Sequence, residues 1–464
     1  MTTHRFSLTE AAVPLMIAAV IMGGMILSGS TALYIPLGIG AAVAALLALR
    51  RGYALRTLGS AALGGMKSTM IALTILLLVG GLIGVWKASG TVPAMVYYGL
   101  GLAQPSYLVP AAFLLSLAVS MMLGTSIGTL STIGVALIGV AHGVGASLPL
   151  VAGALVSGAL FGDRSSPLSG SLNLNVAMTG TDLRRMLSVL TPSGVTAAVL
   201  SLIAYAVAGA GAPVAQGAAG SAMRQAIAAQ FVISPWLLVP PVLVLALAFL
   251  RIPVRWALGC GILAGGILAV VLQGAAWAEP FKVALFGFTS QTGSADLDRI
   301  FSGGGVLPMA RQIALILTAG AFNGIMEQTG MMTVLIARLV EGVRRPLALV
   351  GSTMLVSVAV SMVAANQALA IIITGRMLRP AYDQAGLSPE LLSRSVADSG
   401  TVIAGIIPWN IMGILAAAAL GVSVRTFVPY VFWALLLPMI SLVMTMLEER
   451  RGRLSVEVAV VKGE

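Results

Sequence analysis

The sequence predicts an all-α polytopic membrane protein, built as two inverted-topology repeats with hairpins and broken helices. Three observations predict it. The 464 residues are 58% hydrophobic and only 9% charged, with a mean hydropathy of +1.02, whereas a soluble domain carries about 25% charged residues. Apolar stretches recur from end to end, many of them close to the ~20 residues that cross a bilayer as a helix. Motifs of the first half return, in order, in the second. The composition excludes a soluble enzyme, a nucleic-acid binder, a coiled coil and a disordered chain.

The apolar segments fall at 10–29, 32–49, 68–86, 91–103, 108–123, 127–145, 148–162, 190–213, 232–250, 254–275, 306–326, 331–341, 347–364, 367–378, 400–419 and 427–446. The first is long and many others follow it, so it reads as a retained helix rather than a signal peptide. The shortest cannot cross alone. They read as half-helices or hairpins that turn back inside the protein, which is tolerated only where the backbone is buried or lines a cavity. Segments 52–67 and 215–229 mix small, apolar and basic residues, as interfacial amphipathic helices or surface connections do.

The net charge of +11 does not point to nucleic acid. Arginines cluster at segment ends, at Arg50, Arg51, Arg56, Arg251, Arg255, Arg344, Arg345, Arg450, Arg451 and Arg453, which is the positive-inside pattern. The single cysteine, Cys260, excludes an internal disulfide and a Cys-based metal site. Two histidines, His4 and His142, argue against a His-ligated metal. No resident cofactor is expected.

Three motif pairs carry the repeat. GVWKASG at 84–90 matches GIMEQTG at 324–330, LAVSMMLGTS at 117–126 matches VAVSMVAANQ at 358–367, and FGDRSSP at 161–167 matches VADSGTV at 396–402. The offset stays at about 235 to 241 residues, as duplication predicts. The division is a first repeat over 1–229, a second over 230–447 and a tail over 448–464. Charge sets their orientation. Loop 29–32 has no Lys or Arg, while the matching loop 251–255 holds Arg251 and Arg255. The next connection is reversed. Segment 50–67 holds Arg50, Arg51, Arg56 and Lys67, whereas 276–305 has Lys282 and Arg299 against Glu279, Asp296 and Asp298. Equivalent loops therefore prefer opposite sides, and both termini are expected in the cytoplasm. Inverted repeats with interrupted helices are the architecture of secondary transporters, whose site lies near the midplane.

The polar residues inside apolar segments are the candidate site. A charge at the bilayer centre costs at least ~2.5–3.5 kcal/mol, so such residues usually face a cavity and serve function. In SGALFGDRSSPLSGSLNLN, 157–175, Asp163 can hold a cation or a proton, and Ser166, Ser169 and Asn173 add oxygens beside carbonyls freed at Pro167. In the partner stretch 395–410, Asp398 falls opposite Asp163 and is expected with it to hold the coupling ion or a proton; Ser399, Gly400 and Thr401 mark an unwound point and Pro408, Trp409 and Asn410 a second break, with Ser399, Thr401 and Asn410 as candidate oxygen ligands. GTSIGT at 124–129 reads as a hairpin tip presenting Thr125 and Ser126, and its partner 364–370 carries Asn366 and Gln367. Lys87 and Glu327 occupy matching positions and can meet near the pseudo-twofold axis. Arg164, Arg376, Arg379 and Arg394 can bind a carboxylate bidentately or neutralise a neighbouring Asp. No Ser–His–Asp set, metal motif or nucleotide loop is present, so the chain does not read as an enzyme.

At these residues the chain resembles the NhaC-type sodium/proton antiporter family of the ion-transporter superfamily. The resemblance rests on GVWKASGTVP at 84–93 with MVYYGL after it, GTSIGTLSTIGVAL at 124–137, FGDRSSPLS at 161–169, GIMEQTG at 324–330 and LSRSVADSGTVIAGIIPWN at 392–410. It implies a dimeric inner-membrane transporter, each repeat having a hairpin and a broken helix. It implies exchange of sodium for protons, or in some members of small carboxylates such as malate and lactate; an amino-acid substrate is a further alternative. The expected partners are the lipid bilayer, the transported ion or small organic anion, and a second copy of the chain. The acid of the family's GD-K/R-x-SPLS motif falls on Asp163 and that of its DSGT motif on Asp398, and the coupling ion these two are expected to hold is sodium. The chain departs from the family twice. Gly170 stands where a second Asp is typical, and Lys87 stands where an apolar residue is typical.

Overall fold

The computed structural model describes residues 6–28, 30, 32–102, 105–210, 218–293, 295–340 and 345–452. His4, Arg344, Arg453, parts of loop 29–32 and of segment 215–229, and the tail from 453 onward lie outside the described residues. Residues 448–450 of the expected tail belong to the helix Phe432–Arg450. Among the described residues the chain is helical, and its only β-type pairing is an isolated bridge between Phe288 and Gly303. Eight helices are long and apolar enough to cross a membrane, or ten if each of two bent pairs is one span. The chain is a multi-pass α-helical membrane protein.

The leading helices form a support for the rest. Leu8–Leu27 packs on Tyr34–Arg50, which packs on Ala310–Gln328. Met70–Ala88 lies against Val254–Val271, and Trp86 donates its indole N–H to the Gly261 carbonyl at 3.0 Å. Glycine sets how closely these helices approach. The basic segment after Arg50 folds as Leu55–Ser68 and does not lie alone on the surface; it is pressed onto Ala310–Gln328. A Cβ at Gly65 would stand 2.0 Å from the Gly320 carbonyl oxygen, and one at Gly324 would stand 2.1 Å from that of Ala61. Small residues of this kind let backbones touch within a membrane.

Connection 276–305 is more than a loop. It forms two short helices, Glu279–Phe286 and Ala295–Phe301, and folds back on Met70–Ala88. Gly305 donates its N–H to the Gly80 carbonyl at 2.7 Å, and a Cβ at Gly84 would stand 2.7 Å from the Val283 carbonyl oxygen. The Asp298 carboxylate ties the turn together. It accepts from the Thr292 N–H at 2.7 Å and the Thr292 hydroxyl at 2.9 Å. The backbone donor first, and then the hydroxyls of Thr292 and Ser290, hold this carboxyl below the usual carboxylate range.

The site-bearing elements follow one order in both halves. In the first, Pro105–Leu123 ends at Gly124, whose φ is +66°. Thr125 then caps Ser126–Thr129, which continues through a π-helical turn at Leu130–Gly134 into Val135–Gly143. Leu148–Ser165 follows, broken at 166–169 before Gly170–Thr179. In the second half, Pro346–Ala364 ends at Ala365, with φ +50°. Asn366 then caps Gln367–Gln384, its Oδ1 accepting from the Ala368 N–H. Pro389–Ala397 follows, broken at Asp398 and Ser399 before Gly400–Ile403.

The packing within each half is also alike. A Cβ at Gly162 would fall 2.2 Å from the Ser120 carbonyl carbon, and one at Gly400 would fall 2.3 Å from the Ser357 carbonyl oxygen. Each glycine thus lets its broken helix press on the first arm of its own hairpin. The apolar run 400–419 is not one helix. It stops at Ile406 and restarts as Ile411–Leu420, bent by 49°, with Asn410 capping the restart. Proline at 408 has no N–H and disfavours helix at the residue before it, so the break follows from the sequence.

Candidate functional site

Asp163 lies in the last turn of Leu148–Ser165 and is 7% exposed. The helix ends because Ser166 is extended and Pro167 cannot continue it. The chain then turns back over the acid. Ser169 caps Gly170–Thr179, and its Oγ stands 3.1 Å from Asp163 Oδ1 and within bonding distance of the Asp163 carbonyl. Ser171 Oγ donates to the same carbonyl at 2.7 Å.

The other carboxylate oxygen faces the two hairpin tips. Ser126 Oγ donates to Asp163 Oδ2 at 3.5 Å, and Gln367 Nε2 donates to it at 3.3 Å. Gln367 Nε2 also donates to the Thr401 carbonyl at 2.9 Å. Ser126 and Gln367 are the same position of the paired motifs, one residue past the caps Thr125 and Asn366. The tips of both halves therefore converge on one carboxylate. Around it stand oxygens of Asp163, Ser126, Ser169 and Thr401, the hard neutral and anionic donors that suit an alkali cation.

Asp398 sits in a different environment. It is fully buried. Arg164 donates to its Oδ1 through Nε at 2.7 Å and also through Nη2. Ser193 Oγ donates to Oδ2 at 3.0 Å. The remaining guanidinium hydrogens reach the Leu190 carbonyl at 3.0 Å, Ser165 Oγ at 3.1 Å and Ser193 Oγ at 2.8 Å. A charge held away from water needs such a partner and such bonds. The two acids aligned by the repeat thus have unlike surroundings, neutral donors for Asp163 and a cation for Asp398. They are tied through the chain, because the arginine that holds Asp398 is the residue after Asp163.

Most of the other candidate side chains bond to the backbone. Ser166 Oγ donates to the Met121 carbonyl at 2.7 Å, which fastens the break to the hairpin. The exposed Asn173 donates to the Ser169 carbonyl at 2.6 Å. Ser399 donates to the Ser395 carbonyl at 2.6 Å, and Thr401 Oγ1 to the Val396 carbonyl at 3.0 Å, so Thr401 offers the site its carbonyl. Asn410 donates to the Ser361 carbonyl at 2.9 Å. Arg394 is paired with Glu448 at 2.7 Å, Arg379 with Asp383 at 2.9 Å, and Arg376 is exposed.

Lys87 and Glu327 are not brought together. The Lys87 ammonium donates to the Ile300 carbonyl at 3.1 Å and the Ser302 carbonyl at 2.5 Å, while Glu327 is exposed. Those carbonyls end the short helix Ala295–Phe301, where a cation meets the negative end of the helix dipole. Lys87 also lines a cavity of about 1040 Å³ together with His142, Arg311, Gln312, Pro408 and Arg425. Asp163 is not among the residues that line it.

The comparisons with known proteins agree with one another. The Na+/H+ antiporter family model matches residues 2–182 and 158–447. The chain is 32% identical over 415 residues to the Na(+)/H(+) antiporter NhaC of Bacillus subtilis, covering 88% of this chain and 91% of that one. It is 32% identical over 395 residues to the malate-2H(+)/Na(+)-lactate antiporter of the same organism, 84% of each chain. It is 31% identical over 381 residues to the arginine/ornithine antiporter ArcD of Halobacterium salinarum, 80% of this chain and 78% of that one.

Proposed function

The chain belongs to the Na+/H+ antiporter family, and from that premise we propose that it exchanges sodium for protons by alternating access, with Asp163 as the exchanging carboxylate. The observation that carries this reading is the convergence of Ser126 and Gln367, one from each hairpin tip, on Asp163. The exchange follows from charge. With a proton bound, Asp163 is neutral. With sodium bound, anion and cation cancel. Either loaded site crosses the apolar interior at modest cost, whereas the empty carboxylate is expensive to move through it. One ligand must therefore replace the other before the site changes sides. The Arg164–Asp398 pair is neutral as a unit and adds no net charge to this count.

The protein acts in this account as a homodimer of the inner membrane with both termini in the cytoplasm, and its halves, 1–229 and 230–447, as inverted repeats. The shared element order supports the repeat, and the loop charges support its inversion. In a Cys260→Ala background, Ser28→Cys and Ile252→Cys are expected to label from opposite sides of the membrane. Labelling from one side would contradict the inversion.

A second reading has one observation in its favour. The cavity carries Lys87, Arg311 and Arg425, which suits exchange of a small carboxylate or an amino acid. Proteoliposomes separate the two. On the first reading a sodium gradient drives proton movement without any organic solute, and labelled malate, lactate or arginine is not taken up. Uptake of a labelled solute with no sodium-driven proton movement would establish the second.

A further inference from the structure

Asp163 Oδ2 and the Thr401 carbonyl both point at one atom, Gln367 Nε2, at 3.3 and 2.9 Å. The orientation of this amide follows from its neighbours. The Thr401 carbonyl can only accept, so the NH2 group and not Oε1 must face it. The two amide hydrogens are then shared between one oxygen of each half. The hairpin turn places the side chain: Ala365 ends one helix with a left-handed φ of +50° and Asn366 caps the next, so that Gln367 is its first residue; that φ costs a non-glycine residue roughly 1–2 kcal/mol. The Ile411 N–H donates to the Ala365 carbonyl at 2.9 Å and fixes it.

We infer that the Gln367 amide nitrogen is a built-in stand-in for the transported cation, which occupies the cation's place between Asp163 and Thr401 and must be displaced for the ion to bind. The inference rests on the sodium reading above and deepens it. A tethered neutral donor gives both oxygens a hydrogen bond when no ion is present, but it brings no positive charge, so the empty carboxylate stays ionised and still cannot cross the apolar interior. The amide also competes with the ion. The affinity measured for sodium is then the intrinsic affinity lowered by the bonds the amide gives up. Ser126, the matching residue of the other tip, reaches only Asp163, so the competition belongs to one half.

The test is sodium binding to the purified full-length protein, measured by isothermal titration calorimetry, for wild type, Gln367→Leu, Gln367→Met and Asp163→Asn. Methionine keeps the length of glutamine without its donors, and it guards against misfolding of the leucine variant. The inference predicts that both Gln367 variants bind sodium on the order of tenfold more tightly than wild type, the equivalent of the one or two hydrogen bonds no longer displaced, and that Asp163→Asn does not bind it. Unchanged or weaker binding in both Gln367 variants, with normal binding in wild type, would overturn the inference and leave the sodium reading standing. No sodium binding by wild type or by either Gln367 variant would overturn both.

Discussion

Asp163→Asn is expected to reduce sodium-for-proton exchange in proteoliposomes to the level of protein-free liposomes, while the protein still folds and inserts. Asparagine has nearly the same shape and keeps one acceptor for Ser126, Ser169 and Gln367, which now surround the carboxylate. It cannot take up or release a proton at working pH, and it carries no charge to balance a cation. Empty, the mutant site is already neutral and free to move, and a bound sodium ion would leave it charged, so nothing couples the two ions. A surface substitution far from these features is worth within about 0.5 kcal/mol of stability; this buried exchange of similar volume is expected to stay within a few times that, because no ion pair is broken. Exchange at more than half the wild-type rate would remove Asp163 from the mechanism.

Asp398→Asn should behave differently, and the difference separates the two acids. Here the substitution leaves the Arg164 guanidinium buried without its counter-charge. Removing one partner of a buried pair costs about 3–5 kcal/mol. The variant is expected to unfold at clearly lower temperature in detergent, with transport falling in proportion to the folded fraction. Arg164→Leu should show a similar loss of stability. The double variant Arg164→Leu with Asp398→Leu should be more stable than either single one, because no unpaired charge remains. A stable Asp398→Asn protein that no longer binds sodium would assign Asp398 to the ion site and contradict the structural role argued above.

The sequence made the helices legible because apolar length is a local property. The segments at 68–86, 347–364 and 427–446 became Met70–Ala88, Pro346–Ala364 and Phe432–Arg450. The tips were legible too, since Gly124 with Thr125 and Ala365 with Asn366 are turn-and-cap chemistry written in adjacent residues. Connection 276–305 was hidden because its helices, Glu279–Phe286 and Ala295–Phe301, are too short to show a period, and their partner is the distant face of Gly80 and Gly84.

The candidate site divided in the same way. Asp163 stood out as an acid inside an apolar run. Gln367 stood out at the second tip, but its contact with Asp163 spans 204 residues, and nothing local in the sequence pairs a neutral amide with that acid. The pairing of Asp398 with Arg164 spans 234 residues. Arg394 lay closer in sequence and was an equally good candidate, but it points to Glu448 instead. The partners of Lys87 are main-chain carbonyls, which no residue type announces.

Proton release on sodium addition tests most directly whether one carboxylate, Asp163, holds either a proton or a sodium ion. Purified protein in weakly buffered detergent solution, with a pH indicator present, is expected to release protons when sodium chloride is added and none when choline chloride is added, and Asp163→Asn is expected to release none with either salt. Sodium-induced release of equal size from Asp163→Asn and from wild type would contradict the account.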